Sequence, residues 1–216
     1  GSGLLFAAVR NGMIGEFRRQ FDKGGRADSV FFGPEQISIH SVTADQRTGI
    51  GVVIEGSAFD IVAVNLEGPA KFDTLMATRY SEGWPALSPD NRWLAYQSDE
   101  SGRMEVYMRA WPSLGSKVQV SQNGGTEPTW SRDGKELFYR SGGGTEPKMA
   151  AAVVVDGRVQ SRTELFSVGR YEFSTPHRNF DVFPDGRSFA MVRQGMPGQQ
   201  AEVVYLQNLP GLMERR

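Results

Sequence analysis

Apolar positions along the chain alternate with polar ones in short runs that turn-forming residues interrupt, a period-two pattern that predicts strands throughout. The clearest runs follow one repeated unit, SPDNRWLAY at 88–96, SRDGKELFY at 131–139 and FPDGRSFAM at 183–191. In each copy a Ser or Phe leads into an Asp-centred turn, then a basic residue, then an apolar strand. VTADQRTGIGVV at 42–53 is a fourth, eroded copy. The turn aspartates Asp45, Asp90, Asp133 and Asp185 stand 45, 43 and 52 residues apart. Periods of that size mark repeated supersecondary units, and four short strands per unit make a propeller blade, which needs neighbours to bury both of its faces.

The alternation predicts strands at 84–87, 93–97, 105–111 and 117–121, closed by turns at 89–91, 99–102 and 112–115. The next unit reads 127–131, 137–140, 149–155 and 163–168, and the one upstream 37–43, 51–55, 60–65 and 71–77. Three strands, at 4–10, 15–21 and 29–32, precede these, and three, at 179–183, 188–193 and 202–207, follow. The expectation is therefore an all-β β-propeller of four-stranded antiparallel blades, about four and a half of them, forming part of a larger ring. Its divisions are an expression scar at 1–3, a partial blade at 4–35, blades at 36–80, 81–123 and 124–170, a partial blade at 171–210 and a tail at 211–216.

Composition agrees with many short strands. The 216 residues include 26 Gly, 11 Pro and 13 Phe, and 24 basic side chains balance 25 acidic ones. A formal charge of −1 supplies no field for nucleic acid or an anionic membrane, so neither is expected as a partner. No apolar run reaches the roughly 20 residues that span a bilayer. The absence of Cys excludes disulfides and thiolate chemistry and suits cytosol and periplasm alike.

Catalytic signatures are missing. There is no Gly-x-Ser-x-Gly elbow, and the two histidines, His40 and His177, lie far apart in sequence. Zinc and calcium ligand spacings and a phosphate-cradling loop are absent as well, so no cofactor or metal is expected. The turn aspartates read as acceptors for nearby amides. The aromatic series Trp93, Tyr96, Tyr107, Trp111, Phe138 and Tyr139 reads as packing between blades. The loops that enter inner strands line the channel mouth of a propeller, and they contain Glu82, Trp84, Glu127, Trp130, His177, Arg178 and Asn179. These are the candidate binding residues for a peptide, a protein or a small polar ligand.

The runs GWPALSPDNRWLAYQSDESGRMEVYMRAWP, VQVSQNGGTEPTWSRDGKELFYRSGG and NFDVFPDGRSFAMVRQ resemble the TolB-like (WD-type) propellers, and among them the C-terminal propeller of bacterial eukaryotic-like serine/threonine kinases. Residues 4–50 follow the pattern poorly, with Thr43-Ala44-Asp45 where Ser-Pro-Asp is expected. The resemblance implies a non-catalytic sensor or protein-binding module of a larger bacterial protein, with an extracytoplasmic setting. The rival readings are the propeller of a prolyl-oligopeptidase-like peptidase, a hydrolase working at the channel mouth, and a self-assembly module whose open edges pair with a second copy.

Overall fold

The computed structural model describes residues 3–10, 13–20, 27–33, 35–56, 58–68, 71–142, 146–173, 178–193, 195 and 202–206. Eighteen strands and no helix occur among them. In chain order they are β1 (Gly3–Arg10), β2 (Met13–Gln20), β3 (Asp28–Phe32), β4 (Gln36–Val42), β5 (Thr48–Glu55), β6 (Ala58–Asn65), β7 (Phe72–Met76), β8 (Glu82–Leu87) and β9 (Trp93–Ser98). There follow β10 (Glu105–Ala110), β11 (Lys117–Gln119), β12 (Gly125–Trp130), β13 (Glu136–Ser141), β14 (Lys148–Val155), β15 (Arg158–Ser167), β16 (Phe180–Val182), β17 (Phe189–Arg193) and β18 (Glu202–Leu206). They form β1-β2-β3, β4-β5-β6-β7, β8-β9-β10-β11, β12-β13-β14-β15 and β16-β17-β18, each sheet a meander of sequential neighbours. Such a series of small antiparallel meanders is the β-propeller fold. The chain divides into two compact units, Gly1–Pro85 and Ala86–Arg216, with the division inside β8.

The turn between the first two strands of each repeat shows why the unit recurs. Asp45, Asp90, Asp133 and Asp185 each accept the amide two residues on, from Arg47, Arg92, Lys135 and Arg187, at 3.1, 3.0, 3.1 and 2.9 Å. The residue between donor and acceptor takes a positive φ in every copy: Gln46 at 59°, Asn91 at 55°, Gly134 at 71° and Gly186 at 63°. Asn and Gly reach that region at least cost. Ser88 and Ser131 close the turn further, each accepting the amide of the first strand residue beyond it, Trp93 and Glu136, at 2.9 Å.

Among the strands whose bounds differ from the sequence pattern, two have a local cause. The strand expected to end at residue 121 stops at Gln119, because Val120 and Ser121 both aim their amides at the Val106 carbonyl and the Ser121 hydroxyl takes the Val106 amide. A side chain there replaces a rung of the ladder. Strand β15 is longer than expected, since the tight Asp156-Gly157 turn lets pairing begin at Arg158.

In the second unit β13 is buried on both faces, and its side chains alternate between two cores. Leu137 and Tyr139 pack with Ala95, Met108 and Ala152, whereas Phe138 packs with Phe180, Phe189 and Met191. Phe138 meets Phe189 edge to face at 5.2 Å. Buried side chains of this size contribute about 1.5–3 kcal/mol each. The first unit has its own core of Val30, Phe31, Ile37, Val53, Val62 and Val64.

Candidate functional site

Of the residues expected at the channel mouth, Glu82 and Trp84 belong to the first unit. Glu82 is buried and accepts the Thr78 hydroxyl at 2.5 Å. Trp84 is 2% exposed and lies against Phe59 at 5.3 Å and His40 at 6.2 Å between ring centres. Its φ is +49°, a conformation that costs a bulky residue about 1–3 kcal/mol. Its indole N–H is enclosed without an acceptor among the described residues. Loop chemistry thus turns out to be buried and strained at this position.

In the second unit Glu127 stands at the same repeat position as Trp84, four residues before the turn serine and ahead of a proline, and it repeats the positive φ at +53°. A bulge between Thr126 and Thr129 puts it there. Glu127 is fully buried and gathers its partners around it. The Gln97 side chain accepts its amide at 3.0 Å, Asn179 donates to its Oε1 from the backbone at 3.0 Å and from Nδ2 at 3.2 Å, and Arg140 Nε approaches its Oε2 at 2.5 Å. That last approach is an ion pair off the hydrogen-bonding direction, since both atoms are without a hydrogen bond. The Arg140 guanidinium also donates to the carbonyl of Glu172 at 2.5 Å and, at 3.5 Å, to that of Tyr171. Burial pushes the Glu127 carboxyl upward, and Arg140 and the Asn179 donors oppose it. Burial likewise lowers Arg140, partly offset by Glu127, although an arginine keeps its charge.

The structure therefore joins Glu127 to Asn179. Arg178, half-buried beside them, interacts electrostatically with Asp181 and Glu127, and burial lowers its pKa. Trp130 stands apart: it lies in the core, its indole N–H donating to the Ala86 carbonyl at 3.1 Å. His177 lies outside the described residues. Arg140 went unmarked in the sequence, and its signal is positional, because it occupies the place in β13 that Gln97 holds in β9. Both reach the inner strand of the following sheet. The bonds of Glu127 to Asn179 and of Arg140 to the carbonyls of Tyr171 and Glu172 tie β12–β15 to the segments leading into β16, so the cluster works as an internal staple.

A concave feature of the second unit lies at the opposite end of β12. A cleft of about 490 Å³ opens between the turn after β12 and the turn after β16, with Arg132, Lys135 and Arg187 on its walls. Its floor is one face of the β12–β15 sheet, where Glu136 pairs with Val153 and Val153 with Ser161, and Thr163 continues the same face. Repeat geometry explains why it is open. Trp93, the counterpart of Glu136, reaches the next sheet and lies where a side-chain carbon on Gly157 would come within 2.1 Å of its ring. Glu136 has no such bulk. Among the described residues no group of three His, Asp or Glu is placed to hold a metal ion.

The strand pattern and the staple between sheets define a β-propeller, and known structures give it a more particular likeness. The chain is similar to TolB from Acinetobacter baumannii, with a TM-score of 0.72 and 13% identity over 95% of this chain and 49% of that one. It thus spans about half the length of that protein. A chain in the crystal structure of the nidogen–laminin complex is similar over 97% of this chain and 79% of its own length, with a TM-score of 0.61 and 16% identity. A puromycin-hydrolysing peptidase of Mycobacterium tuberculosis is similar over 96% of this chain and 37% of its own, with a TM-score of 0.64 and 16% identity. No family model matches the chain, and no curated protein does.

Proposed function

We propose that this chain is a non-catalytic, protein-binding propeller, a recognition module of the kind that serves sensing in receptor-like bacterial kinases. The observation that carries this reading is the division of labour in the second unit. The acid, base and amide groups of the inner strands are spent on the staple, whereas the open surface is a polar cleft between two rigid turns. An acid–base catalyst needs a titratable group within reach of a substrate, and Glu127, fully buried between Arg140 and Asn179, offers none. The likeness to a chain of the nidogen–laminin complex supports recognition of proteins.

The likeness to a peptidase favours a second reading, a propeller that works beside a hydrolase domain. Two measurements on one preparation separate them. Saturable, reversible binding to a protein partner by interferometry, without turnover of peptide substrates, is the expected result. Turnover that is lost on Asn179→Ala at unchanged folding would replace the binding reading with the enzymatic one.

A further inference from the structure

We propose that two copies of this chain associate through the open edge of β18, the two strands pairing antiparallel about Val204 so that Val203 of each lies opposite Tyr205 of the other. The protein-binding reading does not depend on this association and survives its failure.

The four-stranded sheets end in outer strands that carry charge: Asp73 in β7, Lys117 in β11, and Arg158, Arg162 and Glu164 in β15. Charge is a usual way of blunting a free edge. In the last sheet β18 stands at the edge among the described residues, yet from 203 to 206 it reads Val-Val-Tyr-Leu, without charge, proline or bulge. That is the composition of an interior strand. Counted from the turn aspartates, Ala190 and Val192 of β17 match Ala95 and Gln97 of β9 and Phe138 and Arg140 of β13. Their cross-strand neighbours are Met108 and Val106 in β10, Ala151 and Met149 in β14, and Tyr205 and Val203 in β18. The first four are 0 or 1% exposed, whereas Tyr205 is 53% and Val203 78% exposed. Positions that the repeat buries are open here.

The backbone of the edge names its complement. In an antiparallel ladder each residue turns its N–H and C=O to one neighbouring strand, and successive residues alternate. The Phe183 amide donates to the Ser188 carbonyl and the Val192 amide to that of Asn179, so Ser188, Ala190 and Val192 turn toward β16. Phe189, Met191 and Arg193 then turn toward β18, where they face Leu206, Val204 and Glu202. Val203 and Tyr205 are left with amide and carbonyl on the open edge, without a partner among the described residues. An antiparallel copy centred on Val204 sets each of them against the other's counterpart, and each such pair exchanges both of its backbone bonds.

The side chains agree with that register. In the β8–β11 sheet the outer-strand neighbour of Met108 is Val118, and Val120 gives its amide to the Val106 carbonyl at 2.7 Å, so the repeat places apolar residues beside both positions. A second β18 supplies the partner's Val203 beside Tyr205 and the partner's Tyr205 beside Val203. Aromatic and β-branched residues are a favourable cross-strand pair, and no charge lies between 203 and 206 to repel the approach. Tyr205 is held in place beforehand, its hydroxyl donating to Ser188 Oγ at 3.1 Å and its ring edge-on to Phe183 at 4.8 Å. Little freedom is then lost on pairing.

Light scattering behind size exclusion, over a wide range of concentrations, reads the association directly. The mass should rise from the 23.8 kDa of one chain toward twice that value. Two substitutions at one exposed position separate this edge from any other contact. Val203→Lys places a charge where the two strands would close, and Val203→Pro removes the outward amide while leaving those that β18 gives to β17. Each should raise the dissociation constant by about tenfold or more, with the circular dichroism and unfolding midpoint of the wild type. If Val203→Pro fails to fold, Val203→Lys decides alone, since that side chain already reaches solvent. A wild-type mass of 23.8 kDa at every concentration overturns the proposal and leaves the edge to a strand of another protein. A dimer that Val203→Lys keeps at wild-type affinity overturns it as well, because another surface then forms it.

Discussion

Replacing Arg140 by Met tests the staple that joins the last two sheets. Its side chain is 5% exposed and that of Glu127 is fully buried, so Arg140→Met leaves a carboxylate in the interior without its cation. Removing one partner of a buried pair costs about 3–5 kcal/mol. The carbonyls of Glu172 and Tyr171 also lose their donor. In a chain of 216 residues each kcal/mol moves the midpoint by about 2–4 °C, so the expected fall is about 6–20 °C. The cost also depends on pH, and its sign follows from proton linkage. Burial already raises the Glu127 carboxyl, and loss of the opposing Arg140 raises it further. Between the two folded-state values the variant binds more protons than the wild type and loses stability as pH rises, whereas the wild type has lost its share lower down. The gap between the two proteins should therefore widen from about pH 5 to about pH 8.

Urea denaturation at both pH values measures this, with Glu127→Gln/Arg140→Met as the third protein. That double variant removes both charges and should recover much of the stability lost by the single one, because a neutral pair no longer holds an ion in low dielectric. An Arg140→Met protein within about 1 kcal/mol of wild type at pH 8, or a double variant no more stable than the single, would refute the assignment of this pair as a buried staple.

The other outcomes are local. Gly157→Ala should cost about 1–3 kcal/mol more than Gly102→Ala, since both glycines have positive φ, +71° and +88°, but only the first would push a carbon into a rigid ring, that of Trp93. Equal midpoints in denaturant would show that Trp93 moves freely. Gln97→Leu should cost about 1–3 kcal/mol by leaving the buried Glu127 amide without an acceptor, while Gln97→Glu keeps one. The turn carboxylates set the acid limb of stability. The Ser131 hydroxyl does most to hold the Asp133 carboxyl below its ordinary value, burial opposes it, and the Lys135 amide adds to the lowering; for Asp185 the Arg187 amide does most. Lowered groups stabilise above the unfolded value of about 3.9 and lose that contribution as pH falls through the folded one. Asp133→Asn and Asp185→Asn should therefore show a shallower loss of stability in a titration from about pH 5 to about pH 2.

Much of the frame was legible because the turn chemistry is local. An Asp whose carboxylate accepts the amide of a basic residue two positions later forms the same Asx turn wherever it falls, and the alternation after it states which residues enter a core. The strand count and the inner-strand position of Glu127 followed from that, whereas Asn179, expected to open an inner strand, lies just ahead of β16. The staple did not, because Arg140 lies on the neighbouring strand and its reach toward Glu172 depends on which sheet its face meets. Nor did the strain at Trp84, since a positive φ leaves no mark when the residue is neither Gly nor Asn. The cleft was hidden for another reason: hydrophobic patterning records whether a position is buried, not whether the volume between two sheets is filled.

The columns of β9 and β13 show how one frame yields different junctions. Trp93, Ala95 and Gln97 face the β12–β15 sheet, and Glu136, Phe138 and Arg140 occupy the same places facing β16–β18. Bulk has moved from the turn end to the middle, where Phe138 meets Phe189 in place of the small Ala95. A neutral cap at the inner end, the Gln97 carbonyl on an amide, has become a charged one, Arg140 between Glu127 and two carbonyls. Each change fits the others: the larger Phe138 holds the middle of the junction, the ion pair fixes its inner end, and the turn end is left without filler. The opening at Glu136 thus arises where the sheets are already secured at two other levels, so that it is left with little effect on stability. That reasoning predicts opposite outcomes for the exchanged residues. Trp93→Glu should destabilise the fold by about 3 kcal/mol or more, whereas Glu136→Trp should be near neutral, and a comparable loss in both proteins on thermal unfolding would show that the cleft is packed as tightly as its counterpart.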